Sequence, residues 1–257
     1  MGGARARGLA AGACLAAACA LPAPRPTPDA EPPLAAAFVA AHADPAGPAP
    51  ALSPLHRAEL ARRGAGAAER DPLWAEAAPR LAFAYVGVLT DAGGFGHALY
   101  TARPLRPGAE GPTTVWRLDL DPRGRVVWGE PVRLLEGTAV RTVRADDPAA
   151  AGLGSLPLPP RWAGLVPGGV LGVRTADGAG YHAVGLHRRP GGSPDAFLFV
   201  IADARGGLSR DPWSFGQPVP LADTSGGRAL ARPFLPDEPG LAAEDRALLR
   251  AYLGTLP

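Results

Sequence analysis

The chain has 257 residues, enough for one well-buried domain beside a leader and a linker. Its 26 basic residues are all arginine, a usage typical of GC-rich coding. Setting aside Arg5 and Arg7 of the leader leaves 24 against 24 acidic residues, so charge offers no basis for nucleic-acid binding. The 34 glycines and 31 prolines favour turns, tethers and short strands over a helical bundle.

Residues 1–18, MGGARARGLAAGACLAAA, have a basic start followed by about eleven small or apolar residues. That run is shorter than the roughly 20 residues a membrane span needs, and it has the layout of a signal peptide. At its end, Ala16, Ala17, Ala18 and Cys19 resemble the lipobox of bacterial lipoproteins. The resemblance implies a diacylated Cys19 as the mature N-terminus and a membrane partner reached through that lipid. Leu15 stands one place further out than the usual leucine. An ordinary secretory leader of A-x-A type, an uncleaved anchor, a disulfide and modification at Cys14 stay open beside it. Residues 19–54 are rich in Ala and Pro and read as an extended tether, and 55–257 as the folded domain.

Short helices are expected at 34–42 and 54–69, and another at DPLWAEAAPR, where Asp71 is the N-cap and Pro72 the first helical residue. From residue 81 the pattern turns to strands: LAFAYVGVLT, GHALYTARPL, TTVWRLDLD and RVVWGEPVRLL form a four-strand meander. A second set lies at 165–222. Displaced by 85, VGVLTDAGGFGHALYTAR (86–103) matches LGVRTADGAGYHAVGLHR (171–188) without a gap and pairs His97 with His182. Two further matches follow in the same order, DxRG at 121 with 203 and GEPVRL at 129 with GQPVPL at 216.

The expected fold is therefore mainly β: an antiparallel sandwich or barrel-like domain of two related four-strand units, about 81–135 and 165–222. The Gly/Pro-rich connection 136–164 is a candidate lid or rim. Residues 241–256, LAAEDRALLRAYLGTL, read as an amphipathic C-terminal helix. It resembles the closing helix of c-type cytochromes. The haem attachment C-x-x-C-H is absent and the one methionine is Met1, so no haem or other cofactor is carried over.

Chemistry is sparse: H-E-x-x-H, C-x-x-C, EF-hand, Walker A and G-x-S-x-G patterns do not occur, and no metal site is expected. His97 and His182, with Asp91 and Asp177 beside them in Gly-rich turns, are the candidates for a shared site if the two units face each other. Asp119/Asp121 and Asp146/Asp147 read as solvated acids. Trp162 and Trp213, on loops, either cap the β core or form an exposed binding patch. The leading functional expectation is an exported, lipid-anchored envelope protein acting as a non-catalytic binding module for a protein, polymer or small ligand. The competing one is a hydrolase using His97 and His182 with a nearby Asp.

Overall fold

The computed structural model describes residues 30–62, 64–65, 68–105, 111–137, 139–158, 162–210, 242–244 and 246–247. Two antiparallel sheets form a sandwich, each a plain meander. The first has the order β1 (Leu81–Thr90), β2 (Gly96–Pro104), β3 (Thr113–Leu120), β4 (Val126–Leu135). The second has β5 (Val140–Arg144), β6 (Val166–Thr175), β7 (Gly180–His187), β8 (Ala196–Ala202), β9 (Leu208–Arg210). The expected mainly-β, sandwich-like fold is what the chain adopts.

Side chains of successive strand residues alternate between faces, and in the central strands both faces are covered. Odd-numbered residues of β2 and β3, among them Leu99 and Val115, pack on Leu171, Val173, Tyr181, Ala183, Phe197 and Phe199 to form the layer between the sheets. Even-numbered ones, including Tyr100, Trp116 and Leu118, pack under a helical layer. That layer consists of α1 (Pro33–Ala43), α2 (Pro54–Arg62) and α3 (Pro72–Ala77). The outer face of the second sheet, Val184, Leu186, Leu198 and Val200, lies under Leu153 and Trp162 of the connection. Continuous burial along β7 explains why GYHAVGLH reads as an apolar run rather than an alternating one.

Four hairpin turns share one construction. In each, the first residue's N–H donates to the carbonyl four residues on, and the N–H three residues on donates back: 91/95, 121/125, 175/179 and 203/207. The residue completing that second bond is Gly94, Gly124, Gly178 or Gly206, each with φ between 75° and 104°, a left-handed region that glycine enters without a Cβ penalty. Asp91, Asp121 and Asp203 hold their turns through one carboxylate oxygen that accepts two backbone N–H bonds. The D-x-x-G repeat is thus a turn signature.

Three boundaries differ from expectation. The folded body begins near residue 31, not 55, because α1 buries Ala35, Phe38 and Val39 against the first sheet and Leu52 follows them. Tyr100 also donates a 3.0 Å hydrogen bond to the Glu31 carboxylate. The helix itself was expected at 34–42, but its alanine-rich composition disguised the docking face formed by Ala35, Phe38, Val39 and His42. Second, the 136–164 connection contains β5, so the second sheet has five strands where four were expected. The GQPVPL end of the last strand expected there lies outside the described residues, as does most of 241–256; 243–244 and 246–247 are helical.

Third, the gapless 85-residue match slips by one in space. Asp91 and Thr175 open equivalent turns, and Gly96 and Gly180 begin the next strands, a displacement of 84. The spatial counterpart of His97 is therefore Tyr181, not His182. A slip of one residue moves a side chain to the other face of its strand.

Candidate functional site

A charged cluster lies buried between the sheets. His97 on β2 and Asp119 on β3 are register partners, and Arg117 sits two residues before Asp119 on the same face. The His97 Nδ1–H donates to Asp119 Oδ1 at 2.7 Å, and Arg117 Nε lies 3.1 Å from that oxygen. From the facing sheet, Tyr181 Oη accepts from Arg117 Nη1 at 3.0 Å, and the Phe199 ring lies 4.4 Å beneath the guanidinium carbon. Phe197 and Phe199 meet the His97 ring edge to face, with centroids 4.8 and 5.3 Å away.

Exposure decides what this arrangement can do: His97 is 1% exposed, Arg117 3% and Asp119 6%. Burial pushes the Asp119 carboxyl up, but Arg117 and the His97 hydrogen bond outweigh it and hold the group below its usual range. A buried carboxylate shared by a guanidinium and an imidazole is a neutralised network. The His–Asp pair is one element of acid–base machinery, yet here the carboxylate is locked by Arg117 and the ring is walled by phenylalanines. Through the Arg117–Tyr181 hydrogen bond and the Phe197 and Phe199 rings, the cluster joins the two sheets.

A second His–Asp pair ties the helices together. Asp71 caps α3, its Oδ1 accepting from the N–H groups of Leu73 and Trp74 at 2.9 and 3.3 Å, while Oδ2 accepts from His56 Nε2 at 2.7 Å. The Asp71 N–H donates in turn to His42 Nε2 at 3.2 Å, and His42 Nδ1 donates to the Phe38 carbonyl. His42 is thereby fixed as a neutral ring, and burial lowers its pKa accordingly. Replacing Asp71 by alanine removes a helix cap and strands His56 in the core. We expect a loss of about 2–4 kcal/mol in urea unfolding, smaller for Asp71→Asn, which keeps one acceptor.

The residues singled out from sequence do not converge. His97 faces the sandwich interior, whereas His182 pairs in register with Val200 and faces outward, on the opposite side of the second sheet. Asp91 and Asp177 serve their turns, Asp177 accepting from the Thr175 hydroxyl. Burial raises the pKa of Asp91, with its backbone hydrogen bonds and nearby His97 opposing. Trp162 is 3% exposed and packs on Val184 and Leu186, so it caps the core and contributes to no exposed patch. Asp119 and Asp121, read as solvated acids, are buried: the first is paired with Arg117, the second with Arg125 Nε at 2.6 Å. Trp213 and Cys19 lie outside the described residues.

Sequence reasoning missed Arg117 and Tyr181 and read Asp119 as a solvated acid. The available signal was the pair of opposite charges two apart inside the apolar strand TTVWRLDL, which shares one covered face and so requires mutual neutralisation. Among the described residues, no group of three or more His, Cys, Asp or Glu side chains is placed to hold a metal ion, and no helix is long and apolar enough to cross a membrane. No protein-family model, curated protein or solved structure matches the chain.

Proposed function

We propose that this protein is exported and held at a membrane surface by a lipid on Cys19, where its β-sandwich serves as a non-catalytic binding or interaction module of the cell envelope. The observation that carries the reading is the basic-then-apolar leader ending in Ala16, Ala17, Ala18 and Cys19. The early start of the folded body supports it. Glu31 is bound to Tyr100, which leaves residues 20–30 between the cysteine and the domain. At full extension that segment reaches roughly 35–40 Å, a short leash that keeps the module near the bilayer.

The non-catalytic part rests on how the described acid–base groups are used. His42, His56 and His97 are committed to buried structural bonds. The hydrolase alternative needs His97 and His182 in one cleft, and their opposite orientations give it no support.

The test is the mass of the mature N-terminal peptide from a bacterial host that processes lipoproteins, beside a Cys19→Ala variant. The expected result is a lipid-bearing Cys19 in the membrane fraction and an unlipidated, released variant. A mature N-terminus beyond residue 19 without lipid overturns the anchor.

A further inference from the structure

His182 occupies a place built for it. Its ring sits against two glycines: a Cβ on Gly172, its register partner, would come within 2.5 Å of the ring, and one on Gly180 within 2.7 Å. The residue is fully buried, yet neither ring nitrogen has a hydrogen-bond partner. Removing an imidazole from water without such partners is tolerable only while it is neutral.

The connection residues 145–158 form a strap across this outer face of the second sheet, with Leu153, Leu156 and Leu158 packed on Val184, Leu186, Leu198 and Val200. Two cations fasten it. Arg174 on β6 donates from Nη1 to the Ala149 carbonyl at 3.1 Å, and Arg141 on β5 is paired with the Asp147 carboxylate. These three are also the charged groups acting on His182: Arg174 and Arg141 disfavour a proton there, and Asp147 favours one. From β8 comes only the Val200 backbone, which favours the proton without reaching hydrogen-bond geometry.

We propose that His182 and the strap form an acid-released latch, in which a proton on the imidazole detaches residues 145–158 from the second sheet while both sheets stay folded. The closed state cannot accept that proton without placing a third, unpaired cation beside Arg174 and Arg141. Lifting the strap lets water reach the ring.

Burial, then Arg174, pulls the closed-state pKa from 6.5 down to about 4. A basic group lowered in this way leaves the closed state at full strength above pH 6.5 and weakens it as pH falls toward 4, because the open state binds the proton first. Linkage between those two values raises the opening constant about 60-fold between pH 7 and pH 4.5.

Hydrogen exchange of the full chain, read by mass spectrometry at the two pH values and corrected for intrinsic rates, tests this. Strap amides should exchange about 60-fold more from opening at pH 4.5, with those of β2 and β3 not following. In His182→Leu the strap should change by less than about threefold, since no proton is taken up. Arg141→Gln, altered at an exposed side chain, should raise the pH at which strap exchange levels off. An equal acid response in His182→Leu, strap and β2–β3 amides opening together, or an unshifted level-off pH in Arg141→Gln would each overturn the latch.

Discussion

Asp119→Ala is expected to cost about 3–5 kcal/mol of stability, read as a lower urea midpoint with tryptophan fluorescence as the probe. The loss comes from what stays behind: a guanidinium between two sheets with its carboxylate gone, and an imidazole facing Phe197 and Phe199 without its acceptor. Adding Arg117→Met to Asp119→Ala should recover more than half of that loss, because an apolar side chain of similar length suits the Phe199 surface. A single-variant cost under about 1 kcal/mol would show that the cluster does not join the sheets. The pH sign follows from the carboxyl being held below its usual range. Its contribution is present above the ordinary carboxylate pKa and is lost as pH falls through the lowered one.

Trp74→Ala should cost a similar amount, about 3–5 kcal/mol. Trp74 is fully buried at the junction of the helical layer and the first sheet, meeting Trp116 at 4.5 Å, Phe38 at 5.1 Å and Phe83 at 5.3 Å between ring centroids. Its indole N–H donates to the Gly129 carbonyl at 2.9 Å. The neighbouring glycine is the other half of the fit, since a Cβ there would stand 2.3 Å from Leu118 Cδ2 and 3.0 Å from the indole nitrogen. Gly129→Ala is therefore expected to cost about 1–3 kcal/mol through overpacking. Exchange protection in α1 and α3 should fall in both variants before that of the second sheet; equal losses everywhere would sink the assignment of Trp74 to the helical layer.

The strands of the first sheet were legible because Val, Leu, Tyr and Trp runs were separated by Gly- and Pro-containing turns. Helix α3 was legible because Asp71 and Pro72 state a helix start chemically. Helix α1 was expected at 34–42, but its place in the folded body was not legible, since among alanines and prolines only Phe38 and Val39 mark a buried face. Strand β5 hid in the connection because its five residues carry two arginines and a threonine, which suit a sheet edge as well as a loop. The site was least legible of all. Sequence similarity between the two halves suggested matched histidines, but the equivalent turns at 91/95 and 175/179 stand 84 residues apart rather than 85, which matches His97 with Tyr181 and leaves His182 on the far side of its sheet. Side-chain direction depends on odd or even spacing, which residue identity does not reveal.

With a helical layer on one sheet, the strap on the other and a shared core between, this sandwich has little strand surface on which change is neutral. Natural variation, and any protein engineer, are pushed to the rim. The tip at 203–207 is open to solvent at every residue, and its Asp203 bonds close within the turn itself. A peptide tag or fluorophore spliced there would lie clear of all three hydrophobic layers, and that tip is a place where the molecule can be lengthened at little cost to its fold.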